Sequence, residues 1–289
     1  MDNSNASELT IKNVSDTALW VATFRANESL RTDALFIDPY AAKLAGTKGI
    51  KIANQLTMSR FIEWTVIVRT LVIDRMIEQL ITDGVDLVVN LGAGLDTRPY
   101  RMKLPPTLRW IEVDFSHIID HKEKILNDET PRCILERMRV DLSDSEASKK
   151  CFAEIATKSK KILVITEGVI PYLSNDEAAT LAKNLHAQPS FQYWIMEYLS
   201  PQALKRMNNP VRAEQMQNAP LQFSPPQWIE FFKQFGWNAK ETKYLEPESK
   251  KMNRPIPFPV FFKIILRFIP AKKRERLQKF MGFTIYERS

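Results

Sequence analysis

Asp86-Leu-Val-Val-Asn-Leu-Gly-Ala-Gly-Leu-Asp-Thr-Arg98 is the stretch on which the reading of this 289-residue chain turns. Its first part, Asp86 to Leu91, is a short continuous apolar run, the pattern of a strand buried on both faces. Gly92 and Gly94 follow at once. The chain has only 8 glycines, about 3% against a usual ~7%, so two of them in three positions stand out. Backbone without a Cβ can approach a ligand closely, although Gly-Ala-Gly by itself fits a plain tight turn equally well.

Working outward, the same strand pattern recurs at Trp110–Asp114, Arg137–Asp141, Lys161–Thr166 and Phe191–Met196. Helical patterns begin at Ser116 and run from Ser174 to about His186. Strands alternating with helices predict a parallel sheet of βα units. Upstream, the first ~85 residues read as helical. Ser15 is placed to cap a helix through Ala18, Leu19, Ala22 and Phe24, Pro39 marks a break, and Ser59–Thr82 reads as one long helix ended by Gly84. Downstream, Ser224-Pro225-Pro226-Gln227 has the form of a helix start, with a cap, Pro at N1 and Gln at N3. Gly236 ends that helix, and Asn238–Leu245 and Phe283–Glu287 read as two further strands. The expected organisation is one α/β domain over residues 1–289. It has a helical N-terminal cap (1–85), a core (86–245), a Pro-rich, basic and aromatic insertion (246–281) and a last strand (282–289).

Composition narrows the function classes. At 44% hydrophobic and 26% charged residues the chain is an ordinary globular one. Lys and Arg number 41 against 34 Asp and Glu, a net charge of +7 that permits anionic partners without demanding them. Cys133 and Cys151 are the only cysteines, so no disulfide framework or Cys-rich metal site is expected, and a cytoplasmic location is. The first ten residues, MDNSNASELT, carry no apolar signal region. Phe258–Ile269 is interrupted by Lys263 and Arg267 and falls short of the ~20 apolar residues of a span. His117 and His121 stand at a metal-compatible spacing, but only His186 remains elsewhere, so no metal is expected. The absence of a Gly-x-Ser-x-Gly elbow argues against a serine hydrolase.

In open α/β sheets ligands bind beyond the carboxyl ends of the strands. Here those ends carry the glycine turn, Asp114, Asp141 and Glu167-Gly168. Asp114 stands 20 residues past Gly94, a spacing suited to holding a ribose diol. A dinucleotide fingerprint needs a third glycine where Thr97 stands, and no phosphate-binding Gly-Lys-Ser/Thr loop exists. Both points disfavour a nicotinamide-dependent oxidoreductase. The acids Asp141 and Glu167 repel a pyrophosphate. They favour a ligand with an ammonium, a sulfonium and hydroxyls, which describes S-adenosylmethionine. Its carboxylate needs a cation, and Arg69, set among Val66, Val68, Leu71 and Val72, is the candidate. Alternatively Arg69 snorkels to solvent or pairs with an acid from another element. Asp96 and Arg98 are expected to shape the glycine turn.

Several segments in order make a specific resemblance. They are Asp16-Thr-Ala, Arg25-Ala-Asn-Glu-Ser-Leu-Arg31, Leu35-Phe-Ile-Asp-Pro-Tyr40, Arg69-Thr70 with Asp74, Asn90 to Arg98, Glu112-Val-Asp114, Asp141-Leu142 and Glu167-Gly-Val-Ile-Pro-Tyr-Leu173. The chain resembles the leucine carboxyl methyltransferase family, in particular its bacterial small-molecule O-methyltransferase branch. That resemblance implies a Rossmann-like class I methyltransferase fold with a mostly parallel seven-stranded sheet, and S-adenosyl-L-methionine as cofactor. It implies that Arg69, with Arg31, holds the methionine carboxylate, and that Gly92 and Glu167 bind the amino group beside Gly94. Asp114 would take the ribose, and Asp141 and Leu142 the adenine. The acceptor would be a carboxylate or hydroxyl of a small, polyketide-like metabolite. A protein C-terminal carboxylate is an alternative, and so is a non-catalytic protein that docks on a membrane or partner through the basic insertion. Tyr172, Glu197 and Tyr198, after the fourth and fifth strands, are expected to line the acceptor pocket. The insertion, through Phe258, Phe261 and Phe262, is expected to close over it. Neither nucleic acid nor membrane is the expected partner, and no residue is assigned as acid or base.

Overall fold

Val, Leu and Ile fill β1 (Leu87–Leu91) and β4 (Ile162–Thr166), and every residue of both strands is buried in the computed structural model. The structure describes residues 15–56, 59–208, 217–259, 261 and 269–289. The remaining strands are β2 (Arg109–Asp114), β3 (Ile134–Arg139), β5 (Phe191–Leu199), β6 (Trp237–Tyr244) and β7 (Met281–Arg288). They form one seven-stranded sheet in the order β3-β2-β1-β4-β5-β7-β6. The pairs from β3 through β5 are parallel, whereas β7 lies antiparallel between β5 and β6. The α/β architecture read from alternating strand and helix patterns is the one observed.

The helices after β1 to β4 are α4 (Arg98–Arg101), α5 (Ser116–Ile125), α6 (Ser145–Ala156) and α7 (Asn175–His186). Ser174 starts α7 with a full capping box, its side chain accepting from the Glu177 N–H while Glu177 reaches back. The N-terminal cap is α1 (Asp16–Ser29), α2 (Ala41–Gln55) and α3 (Ser59–Thr82). Val68, Val72, Ile73, Met76, Ile77 and Leu80 of α3 pack into the main core with the sheet. Trp20 and Phe24 of α1 join Ile62, Val66 and Ile67 of α3 in a second cluster. Later in the chain come α8 (Pro201–Met207), α9 (Trp228–Lys233), α10 (Leu245–Lys251) and α11 (Ala271–Gln278).

Three local expectations are corrected. The third strand ends at Arg139, not Asp141. It is an edge strand with partly buried Glu136 and Arg137, so an apolar run was a poor guide to its bounds. Ser224 does not cap a helix: α9 starts at Trp228, and the Ser224 N–H donates to Asn175 Oδ1 instead. Just before it, the Phe223 ring is buried against Trp228 with centroids 4.5 Å apart. Ser15 precedes α1 but makes no capping bond; its Oγ lies 3.0 Å from His117 Nε2.

Within the segment 246–281, Arg254 forms an ion pair with Glu28 of α1 at 3.0 Å, and its carbonyl accepts from Trp64 Nε1 of α3 at 2.8 Å. The segment is thereby fastened to the N-terminal cap. Among the described residues no helix is long and apolar enough to cross a membrane.

Candidate functional site

The strand order reverses at β1, which has β2 on one side and β4 on the other. Such a switch point opens a crevice at the carboxyl ends of the strands. A cavity of about 330 Å³ lies there. Its floor is the end of β1 with Asn90, Gly92 and Gly94. Asp114, Phe115, Asp141 and Leu142 form the β2–β3 wall, and Glu167, Tyr172 and Leu173 the β4 wall. Thr17, Ala18, Trp20, Val21 and Arg25 of α1, with Arg69 of α3, cover it.

Gly92 and Gly94 both adopt positive φ, 66° and 50°. A Cβ on Gly92 would also come within 2.6 Å of Val169 Cγ2. The turn therefore needs glycine there for conformation and for close packing. Asp114, at the tip of β2, is buried and braces the turn. Its Oδ2 accepts from the Gly94 N–H at 2.6 Å and its Oδ1 from the Phe115 N–H at 2.7 Å. Burial pushes its carboxyl above the ordinary aspartate value, against the pull of these two bonds. Each oxygen keeps a second lone pair for a further donor. Asp141, in the loop after β3, is exposed and is held by the Ser143 N–H at 2.9 Å.

Beneath the β1–β4 floor lies a chain of buried charges. Arg98 donates through Nε to Asp74 at 2.6 Å, and its guanidinium reaches Asp96 and Glu167, each at 2.9 Å. Arg101 grips the same Asp74 with two bonds, at 2.6 and 2.9 Å. Burial alone would raise the Asp96 carboxyl, but Arg98, Lys122 and Arg101 outweigh it and hold Asp96 well below the usual range. The expected pairing of Asp96 with Arg98 is present. Arg69 lies on the open side of this group. Its Nε is 3.0 Å from Glu167 Oε1 yet makes no hydrogen bond.

Of the residues singled out from sequence, Arg69, Gly92, Gly94, Asp114, Asp141, Leu142, Glu167 and Tyr172 are brought to this one cavity. Arg31 is not. It lies past the end of α1, half exposed, and pairs with Asp33 at 2.8 Å. The cation that this segment sends to the cavity is Arg25, on the α1 face that also carries Thr17, Ala18 and Val21. Arg25 is anchored by Asp38 at 2.9 Å and by the Leu95 carbonyl. Asp38 in turn accepts from Thr97 Oγ1 at 2.6 Å, tying the cap to the glycine turn.

Glu197 and Tyr198 do not line the cavity either. Adjacent strand residues point to opposite faces, so the two could not have lined one pocket together. Glu197 is buried, accepts from the Gly168 N–H and leaves Oε2 without a partner. Burial pushes its carboxyl up to about 7, and Glu167 adds to that rise. The Tyr198 ring packs edge-on against Tyr244, with centroids 5.6 Å apart. Of the segment expected to close over the acceptor pocket, none of the described residues between 246 and 281 lines the cavity. Phe261 is 57% exposed, and Phe262 lies outside the described residues. Sequence reasoning missed Trp20, Arg25, Asn90 and Phe115. The helical spacing from Thr17 through Val21 to Arg25 was the available signal for Arg25.

His121 Nε2 lies 3.1 Å from the Leu44 carbonyl, and no group of three or more potential metal ligands occurs among the described residues.

Comparison with known proteins adds the lineage. A relative from Streptomyces avermitilis, provisionally named as an S-adenosyl-L-methionine-dependent methyltransferase, is 32% identical over 185 residues. That match covers 60% of this chain, and the chain spans 64% of the relative's length. A similarly named relative from Frankia alni is 28% identical over 84% of this chain and 90% of its own. A crystal structure from Thermobifida fusca, described provisionally as a methyltransferase, superposes with a TM-score of 0.56 at 13% identity and full coverage of both chains. At that identity the likeness speaks for the fold. The family profile of the leucine carboxyl methyltransferases matches residues 18–186, more than half of the chain and all four strand ends that face the cavity. The chain belongs to the leucine carboxyl methyltransferase family.

Proposed function

We propose that the protein is an S-adenosylmethionine-dependent methyltransferase acting on an oxygen of a small metabolite. The observation that carries this reading is the spatial order of the strand-end groups. Along β3-β2-β1-β4 the cavity meets Asp141 and Leu142, then Asp114, then the glycine turn, then Glu167 and Arg69. An adenine, a ribose and a methionyl group are joined in that same order. Asp114 keeps lone pairs for a diol. Arg69, whose Nε makes no hydrogen bond, and Arg25 supply cations for a carboxylate. The names of the relatives agree with the cofactor and with methyl transfer.

When bound, the cofactor supplies an electrophilic methyl carbon on a sulfonium. The protein's part is to align the acceptor and exclude water. Beyond β4 the cavity is lined by Trp20, Val21, Tyr172 and Leu173, an apolar surface suited to a small organic acceptor. No histidine among the described residues lines the cavity. A carboxylate acceptor is already nucleophilic and needs no base, whereas a hydroxyl must arrive with a low pKa of its own.

Calorimetry with S-adenosylmethionine tests the cofactor assignment. Wild type should bind it and not NAD, and Asp114→Ala should weaken binding on the order of ten- to a hundredfold with the fold intact, as for loss of charged hydrogen bonds. Unchanged affinity would sink the ribose assignment. A methyl-transfer screen of small carboxylic acids against phenols tests the acceptor class. Turnover of neither group, with the cofactor bound, would refute it.

A further inference from the structure

Glu197 is a buried acid that the methyl-transfer reading leaves without a role. It stands one position past the last rung between β4 and β5, where Thr166 pairs with Met196. Beyond that rung the chain leaves the sheet, yet the Gly168 N–H still bonds to β5, donating to Glu197 Oε1. The carboxyl thus extends the ladder by one step with a side chain. Its other oxygen, Oε2, is buried without a partner. Burying a half-satisfied carboxyl costs free energy, and an apolar side chain would fill the position at lower cost. The reason for an acid here is therefore sought in the bond that Oε1 makes.

The turn that this bond holds is a wall of the cavity, lined by Glu167, Gly168, Val169, Tyr172 and Leu173. Gly168 has a φ of 72°, and a Cβ there would meet nothing within 4 Å, so no neighbour presses on the turn at that point. Its far end is fixed separately. The Pro171 carbonyl accepts from the Gln222 N–H at 2.8 Å, and the Tyr172 carbonyl from Gln222 Nε2 at 3.0 Å. Between these two anchors Val169 packs over the glycine turn, its Cγ2 only 2.6 Å from where a Gly92 Cβ would stand. A shift of Gly168 would carry Val169 off Gly92. We propose that Glu197 is a positioning residue of the site: through the Gly168 N–H it seats the β4 turn against the glycine turn of β1, and so sets the end of the crevice that takes the cofactor's amino-acid portion. The proposal rests on the cofactor reading above. The charged groups that act on Glu197 are Arg69 of α3 and Glu167 of the turn itself, both at that same end.

The test uses calorimetry on the full chain with S-adenosylhomocysteine and with 5′-methylthioadenosine, which keeps the adenine and ribose and lacks the amino-acid end. Glu197→Met removes the acceptor and fills its volume with an apolar chain. It should weaken S-adenosylhomocysteine on the order of tenfold. It should leave 5′-methylthioadenosine within about twofold, because that ligand does not reach the seam. Glu197→Gln keeps an oxygen for the Gly168 N–H and should bind S-adenosylhomocysteine within about threefold of wild type. Equal losses on both ligands in the methionine variant would make Glu197 a general support of the fold and overturn the proposal, as would no loss on either. A glutamine variant as weak as the methionine one would overturn it too, because the bond to Gly168 would not be the cause. Glu197→Asp, which draws the carboxyl back by one methylene, should give the methionine pattern and carries the test if that variant does not fold. Failure of the wild type to bind S-adenosylhomocysteine would overturn the cofactor reading itself, a distinct result.

Discussion

Two arginines hold Glu167 through its two oxygens, and their surroundings differ. Arg98 is 2% exposed and divides its donors among Asp74, Asp96 and Glu167. Among the described residues Arg69 forms an ion pair with Glu167 alone, keeps 18% of its side chain exposed, and has an Nε without a hydrogen bond. Buried charge without full partners is costly, so the chain has closed the network around Arg98 and left the one around Arg69 open where the cavity begins. Completeness thus separates the buried network of the floor from the arginine at the cavity wall.

The largest expected effect breaks the closed side. Arg98→Met leaves Asp96 without its arginine and takes one of two arginines from each of Asp74 and Glu167, and should cost about 3–5 kcal/mol of stability, a fall in melting temperature on the order of 10 °C in a thermal scan. A melt within a degree or two of wild type would mean that the cluster is not a structural one.

A second test probes the buried carboxyl behind the same turn. Glu197 is pushed up to about 7 by burial, so the folded state holds its proton more tightly than the unfolded chain does. Its contribution is therefore fully present below the ordinary glutamate value and is lost as pH rises through about 7. Wild type should be less stable at pH 8 than at pH 5 by up to about 3 kcal/mol from this group. Glu197→Gln should remove most of that slope in urea melts at the two pH values. An identical slope in both proteins would contradict the neutral, buried state of the carboxyl.

The smallest expected change in stability belongs to the open side. In Arg69→Met, Glu167 keeps its bond to Arg98 at 2.9 Å, so no acid is stranded and stability should fall by less than about 1 kcal/mol. Affinity for S-adenosylmethionine should drop on the order of ten- to a hundredfold. Paired melting and binding curves decide the matter, and a large melting loss with normal binding would place Arg69 in the scaffold instead.

This contrast also marks what the sequence disclosed. The strand ends Gly92, Asp114 and Glu167 were legible because β1, β2 and β4 are central strands whose apolar runs stop where the cavity begins. β3 was misjudged by about three residues at its start and two at its end, because an edge strand has no need to be apolar throughout. Arg69 showed itself as a charge flanked by Val66, Val68, Leu71 and Val72. Its Glu167 partner did not, because pairing across 98 positions leaves no local trace. Arg25 and Arg31 sit in the same motif, and only the end of α1 at Ser29 decides which one faces inward. Glu197 and Tyr198 were chosen by proximity to a strand end, which ignores the face each one takes.

The antiparallel placement of β7 has a consequence for synthesis. β6 borders the sheet only through β7. Until Arg288 has left the ribosome, β6 therefore has no strand to join, and the outer edge of β5 from Tyr193 to Leu199 stays unpaired. At about 5–20 residues per second that interval lasts on the order of ten seconds. The cavity-lining half, β3 through β4, can be in place well before then. The nascent chain thus carries a finished crevice beside an open strand edge, a template for pairing with another chain.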